Sequence, residues 1–363
     1  MKRIYFLSFF ALCALLITSE LLSQDLYAQR TTGVEKITLS KPAPEATATP
    51  TGTPIPEEEG TLRVETELVN LNVRVVDRNN RPVSNLRQAE FKIFEDNVPQ
   101  RIEFFSKSEV PTNYSLVLDN SGSLRSQIDQ VIEAGKILIG ANRGEDETSI
   151  IRFVSSDKIE VIEEFTKNKA DLVDALESKI YIEGGQTAIT DAVYLAAQQV
   201  TKYEQARSSV DRKRRALILV SDGEDRSSFY TQQQLFELLK ESDVQIYVVG
   251  FVKDLSSDKN FISKSPQGKA KSFLEKLAVD TGGKAYFPND VSELNGIARE
   301  IASELRTQYS IGYLPSNDRK DGTYRNIKVM IEDGPNKQKR VALTRAGRTA
   351  DREDGVPVIQ KSN

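Results

Sequence analysis

Residues 114–123 read Tyr-Ser-Leu-Val-Leu-Asp-Asn-Ser-Gly-Ser. The apolar run Tyr114–Leu118 ends in a carboxylate, and two hydroxyls follow at alternate positions, Ser121 and Ser123. A near-continuous apolar run suits a strand covered on both faces. Asp119, Ser121 and Ser123 would then emerge together at its end. All three are hard oxygen donors, the ligands of Mg²⁺, Mn²⁺ or Ca²⁺ rather than of zinc or copper. Taken alone, the same residues also make a good helix cap.

Outward from this stretch, strand and helix patterns alternate from Tyr114 to about Ala302. Strands are expected over Tyr114–Leu118, Thr148–Val154, Lys158–Phe165, Ala216–Val220, Val244–Phe251 and Lys284–Phe287. Helical faces are formed by Leu124, Ile128, Val131, Ile132 and Leu138, by Ala192, Val193, Ala196, Ala197 and Val200, and by Val291, Leu294, Ile297, Ile301 and Leu305. This alternation predicts an α/β domain with a doubly wound, mostly parallel sheet.

Two further loops belong at the carboxyl edge of that sheet, where open α/β sheets bind their ligands. Gly184-Gly185-Gln186-Thr187 leads into the helix beginning at Ala188, and Ser221-Asp222-Gly223-Glu224-Asp225 follows the strand Ala216–Val220. Asp119 and Asp222 supply carboxylates, and Ser121, Ser123 and Thr187 supply neutral hydroxyls. Such a set leaves a coordination position for water or for a carboxylate from outside. Gly122 is expected to permit close backbone approach to the ion. Asp191 reads as a helix surface charge more readily than as a group behind the ligands. Glu224 and Asp225 read as added negative potential or as solvated charges.

At these residues the chain resembles the von Willebrand factor type A domain family. That family's metal-ion-dependent adhesion site follows the pattern Asp-x-Ser-x-Ser, then Thr, then Asp, matched here by Asp119, Ser121, Ser123, Thr187 and Asp222. The phrases Gly-Gly-Gln-Thr-Ala-Ile-Thr-Asp-Ala (184–192) and Ile-Leu-Val-Ser-Asp-Gly-Glu-Asp (218–225) are similar to the family's own, and the resemblance spans roughly residues 111–305. It implies a Rossmann-like fold and a divalent cation, Mg²⁺ before Mn²⁺ or Ca²⁺. The implied partner is a protein presenting an exposed Asp or Glu.

The flanks are β-rich. Residues 61–107 alternate with period two, with a phase slip near Val69–Asn70 that predicts a bulge, and with turns at Asn79-Asn80 and Asp96-Asn97. Residues 309–347 alternate again in Tyr309–Leu314, Tyr324–Ile331 and Arg340–Thr344, around Asp321-Gly322 and Asp333-Gly334. Neither flank is large enough to be stable alone. The two are therefore expected to pair into one small β region, with the α/β domain (111–305) inserted between them. Segments such as Val69-Asn70-Leu71-Asn72-Val73 and Gln308-Tyr309-Ser310-Ile311-Gly312-Tyr313 look like a bacterial subfamily, common in Acidobacteria and described only as related to the von Willebrand A domain. Residues 348–363 are expected to be a disordered tail.

At the amino terminus, Lys2 and Arg3 precede the apolar run Ile4–Ile17, and Leu26-Tyr27-Ala28 offers a cleavage point. This is the layout of a signal peptide over residues 1–28. It implies a periplasmic or secreted, cell-envelope location, with no transmembrane span once it is removed. An uncleaved anchor is the alternative. The only cysteine, Cys13, follows Leu12, where a lipoprotein signal needs a small residue. Residues 29–60, with Pro42, Pro44, Pro50, Pro54 and Pro56, read as a disordered Pro/Thr-rich linker.

Composition removes most catalytic readings. The chain of 363 residues contains no histidine, which excludes a His base, a Ser-His-Asp triad and a His-ligated zinc site. Ser123 lacks a Gly-x-Ser-x-Gly setting. Asp119 lacks the second acid, two residues on, that phosphoryl-accepting aspartates use; Ser121 stands there. The net charge of −4 provides no global field for nucleic acid. The basic run Arg212–Arg215 has no interleaved aromatics and reads as a solvated linker. What remains is an exported, non-enzymatic, adhesion-type module. The alternatives are an envelope scaffold whose metal stabilises loops and a metal-dependent hydrolase.

Overall fold

A computed structural model describes residues 35–36, 68–79, 81–107, 110–206, 213–253, 255 and 265–352. The expected signal peptide and nearly all of the expected linker lie outside the described residues. Of the linker, only Glu35–Lys36 is described, as a two-residue edge strand (β1). Among the described residues no helix is long and apolar enough to cross a membrane.

Two β layers and one α/β layer system share the chain. Strands β2 (Val69–Asp77), β3 (Phe91–Glu95), β4 (Val98–Gln100) and β5 (Ile102–Ser106) come first. The α/β domain follows. It contains β6 (Thr112–Asp119), α1 (Ile128–Ala141), β7 (Glu147–Phe153), β8 (Ile159–Thr166), α2 (Lys169–Lys179), α3 (Ile189–Gln205) and β9 (Arg214–Ser221). It continues through α4 (Gln232–Ser242), β10 (Gln245–Gly250), α5 (Pro266–Asp280), β11 (Ala285–Tyr286) and α6 (Leu294–Glu304). The chain ends in β12 (Tyr309–Tyr313), β13 (Tyr324–Ile331), β14 (Arg340–Leu343) and β15 (Gly347–Thr349).

The central sheet has the order β1-β8-β7-β6-β9-β10-β11, parallel except at β8 and β1. Period-two alternation sorts its side chains into two cores. Leu116 and Leu118 of β6 and Ile218 of β9 pack toward α1, α2 and α6. Val117 of β6 with Leu217 and Leu219 of β9 packs toward α3, α4 and α5. This is the doubly wound α/β architecture that the sequence predicts, with additional antiparallel sheets beside it.

Those antiparallel sheets have the orders β14-β2-β12-β5 and β15-β13-β3-β4. Strands from both ends of the chain interleave in each, and β2 pairs with β12 through Val73↔Tyr309 and Leu71↔Ile311. One core joins the sheets, built on Leu71, Val73, Ile93, Tyr309, Ile311 and Tyr313. The Tyr309 ring lies 5.1 Å from Phe91 and 5.7 Å from Phe105. Its hydroxyl donates to Val83 O and accepts from Leu86 N, both at 3.0 Å.

Some local expectations change. The β2–β12 register is continuous through Val69, so no bulge lies there; the phase slip marks where the strand begins. A register shift occurs instead between Gly312 and Tyr313, against β5. Asp96 and Asn97 both have positive φ (48° and 66°), matching a tight hairpin turn. At the expected Asp333-Gly334 turn, positive φ falls later, on Asn336 and Lys337. Arg348 and Thr349, expected in a disordered tail, pair with β13. Residues 353–363 lie outside the described residues.

The β layers meet the α/β domain through buried charge. Arg74 of β2 donates to both carboxylate oxygens of Glu304 at 2.7 Å and to Gly283 O at 3.3 Å. Lys284 stands 3.7 Å from the same carboxylate. Burial still pushes the Glu304 carboxyl above its ordinary range, against the pull of Arg74 and Lys284. Arg214, at the start of β9, donates to Leu305 O, Gln308 O and Ser310 Oγ at 3.0–3.1 Å. Removing one partner of a buried pair strands the other. Arg74→Met is therefore expected to cost about 3 kcal/mol, read as a lower denaturant midpoint. Adding Glu304→Leu to it should recover most of that loss.

Candidate metal centre

Asp119 is the last residue of β6, and the backbone hands its side chain to a crowded polar corner. Oδ1 accepts from Ser121 N at 2.9 Å and Oδ2 accepts from Ser221 Oγ at 2.7 Å. The Ser121 and Ser123 hydroxyls share a hydrogen bond of 2.9 Å, which places the two oxygens side by side. Asp119, Ser121, Thr187 and Asp222 are all buried, and Ser123 is exposed. The sequence-predicted donors thus lie on three loops at one edge of the sheet.

The loops are fixed by direct hydrogen bonds. Asn120 N donates to Phe153 O at 2.9 Å, its side-chain amide donates to Tyr181 O at 2.6 Å, and Glu183 N donates back to Asn120 O at 2.9 Å. Thr187 O accepts from Arg226 N at 2.8 Å and Ser227 N at 3.2 Å. Ser227 Oγ donates to Gln186 O at 2.9 Å. Asp222 Oδ1 accepts from Glu224 N at 2.9 Å, closing its own turn. The third loop turns at Gly223, whose φ is +83° and whose Cβ would meet Leu274 at 2.8 Å. Only glycine fits there on both counts.

Several neighbours differ from expectation. Asp191 is fully buried, not a helix surface charge. Its carboxylate accepts from Phe229 N at 2.7 Å and Tyr230 N at 2.8 Å, pinning the third loop to the start of α3. Asp225 is not simply solvated: it accepts from Thr190 Oγ1 and, at 2.6 Å, from Ser228 Oγ. Glu224 pairs with Arg226. Gly122 has open space where a Cβ would sit, so packing gives no reason for glycine there. Ser221, the residue that bonds Asp119 directly, is not in the predicted donor set. A polar residue closing an otherwise apolar strand is the signal that points to it.

Electrostatics give the site its character. Burial pushes the Asp119 carboxyl up to about 6, and the Asp222 charge adds to that push against the hydrogen bonds from Ser121 and Ser221. Among the described residues, the largest influences on it are burial, the Ser121 and Ser221 hydrogen bonds and the Asp222 charge, none of them basic. Among the described residues, no three acidic, histidine or cysteine side chains gather as a metal cage. A buried carboxylate with a second carboxylate and hydroxyls beside it, and no cationic partner among the described residues, is the donor set that a hard divalent cation fits. Asp119, Ser121, Ser123, Thr187 and Asp222 would hold it.

This arrangement fixes a pH dependence. The folded chain holds the Asp119 proton to about 6, above the ordinary 3.8. In the metal-free protein this group therefore favours folding below about pH 4, and that contribution is lost as pH rises through about 6. At pH 7, Asp119→Asn is expected to raise metal-free stability by about 1–3 kcal/mol. The gain should shrink at pH 4.5, and the variant should no longer be stabilised by Mg²⁺. Denaturant melts at the two pH values, with and without Mg²⁺, check this.

The von Willebrand factor type A domain model matches residues 115–300, just over half of the chain. Among solved structures, the chain is similar to an aerotolerance-related membrane protein from Bacteroides fragilis carrying multiple mutations to serines. They share 19% identity, covering 53% of this chain and 98% of that one, with a TM-score of 0.39. It is similar to a von Willebrand factor type A protein from Catenulispora acidiphila, with 13% identity, coverage of 73% and 74%, and a TM-score of 0.42. It is also similar to proximal thread matrix protein 1 from the mussel byssus, in a form with a zinc-occupied MIDAS motif. There the identity is 17%, the coverage 54% and 48%, and the TM-score 0.42. No curated protein matches the chain.

Proposed function

Because this chain belongs to the von Willebrand factor type A domain family, we propose that it is an exported binding protein that captures a carboxylate of a partner protein through a divalent cation. The ligands are Asp119, Ser121, Ser123, Thr187 and Asp222. The observation that carries this reading is the buried Asp119 carboxylate, pushed up to about 6 by burial, with hydroxyls and Asp222 around it and no basic partner among the described residues. Domains of this family are often metal-dependent protein-interaction modules.

Each residue has a defined part. Ser221 and the Ser121 N–H orient the two Asp119 oxygens. The Ser121–Ser123 pair presents neutral oxygens beside them. Asp191 holds the third loop from behind without facing the donors. The donors are few and only two are anionic, so a hard cation bound here keeps an electrophilic position for an acidic side chain. The chain contains no histidine to act as a base. Mg²⁺ suits this small oxygen set, and Mn²⁺ is its closest substitute.

A scaffold role, with the cation only stabilising loops, has less support. The loops are already tied together by the Thr187, Gln186 and Asn120 bonds, so loop order does not require an ion. Export rests on Lys2, Arg3 and the apolar run Ile4–Ile17. It is tested by the mature amino terminus after secretion, expected near Ala28.

Calorimetry with Mg²⁺ and Mn²⁺ tests the site. The wild type is expected to bind one ion, and the double variant Asp119→Ala with Asp222→Ala to bind none while keeping its far-UV circular dichroism. Unchanged ion binding in a folded double variant would sink the ligand assignment.

A further inference from the structure

Two large aromatic side chains stand exposed at the edge of the sheet that carries the candidate donors: Tyr181 is 49% exposed and Phe229 is 53% exposed. Both are held by fixed neighbours. The Tyr181 carbonyl accepts from the amide of Asn120, the residue next to Asp119, at 2.6 Å. Its ring lies over the Arg152 guanidinium, 4.3 Å from carbon to centroid. Arg152 is itself fixed by Glu160 at 2.7 Å and by Lys179 O at 2.8 Å. Phe229 N donates to the buried Asp191 carboxylate at 2.7 Å. Its ring meets Tyr230 edge-on at 5.4 Å, and Tyr230 stacks on Tyr194 at 3.8 Å.

The two rings come from opposite layers. Tyr181 follows α2, which packs with α1 and α6 on one face of the sheet. Phe229 precedes α4, which packs with α3 and α5 on the other. The Asp119–Ser123 loop leaves β6 between these layers. Gly184, Gly185 and Gln186 are exposed, and the two glycines carry no side chain. A segment crossing this edge to place a carboxylate at the donors would meet an aromatic ring on each side.

Exposed rings already held in place add apolar area to a complex at a low ordering cost. Aromatic anchors of this kind dominate the energetics of many protein interfaces. We propose that Tyr181 and Phe229 form a paired aromatic rim that selects partner segments whose metal-seeking Asp or Glu is flanked on both sides by apolar side chains. The rim rests on the carboxylate-capture reading above and assigns it a partner class.

The test uses the full chain with Mg²⁺ and three labelled peptides, read by fluorescence polarisation. One peptide has a single Asp between leucines, the second has it between glycines, and the third carries Asn between leucines. Mn²⁺ affinity is measured separately for wild type, Tyr181→Ala and Phe229→Ala. The Leu-flanked Asp peptide is expected to bind about tenfold tighter than the Gly-flanked one, and only with Mg²⁺. Each alanine variant is expected to lose about five- to tenfold of that affinity. Binding of the Gly-flanked peptide and of Mn²⁺ should not change, and Tyr181→Phe should behave as wild type. Equal binding of the two Asp peptides, or variants with intact affinity for the Leu-flanked one, overturns the rim and leaves carboxylate capture standing. If Mn²⁺ binds but neither Asp peptide exceeds the Asn peptide, both fail.

Discussion

The pairing of β2 with β12 sets the layout of the chain. Val73 lies opposite Tyr309, so the α/β domain is spliced between two strands that become neighbours only when that domain has brought its ends together. Loop closure over such a span grows slowly in entropic cost, and the folded insert supplies most of the closure. Arg74 and Arg214 then fix the junction. Each takes a charged head out of water and gives it fixed partners: a carboxylate for Arg74, and carbonyls with the Ser310 hydroxyl for Arg214. Burial in this dry junction lowers the Arg214 guanidinium to about 10.

The same dryness has the opposite outcome at the other end of the central strands. At the junction, buried charge meets opposite charge. At the carboxyl ends of β6 and β9, Asp119 meets Asp222 and hydroxyls instead. A strand buried on both faces has few places to expose polar groups, and its carboxyl end is one of them. The fold concentrates oxygen donors there and leaves their charge uncompensated. That imbalance separates the candidate site from a structural ion pair.

Much of this was legible in the residues themselves. The apolar run before Asp119 and its near-repeat before Asp222 mark two central strands, and the donors follow at their ends. Interleaving of the β flanks was legible because neither could bury enough surface alone. Asp191 was not. Its helix position predicts exposure, and its partners are backbone N–H groups 38 and 39 residues away, which no local pattern encodes. Ser221 was hidden for a related reason: its role depends on β9 lying beside β6, a fact of sheet order. The phase slip near Val69 was read as a bulge because alternation alone cannot tell a bulge from a strand start.

Strand β9 joins the junction to the candidate site. Its first residue, Arg214, is bonded to the carbonyls of Leu305 and Gln308 and to Ser310, which lead into and form β12. Its last residue, Ser221, donates to Asp119. Parallel strands run in one direction, so attachment gathers at their amino ends and the candidate site at their carboxyl ends. The β layers therefore grip the domain at the edge opposite the oxygen donors. Among the described residues, the edge that carries those donors is built from the loops around Asp119, Thr187 and Asp222, with the β7–β8 turn beside them through Ser156. The splice that makes the flanks stable also keeps them away from the candidate site.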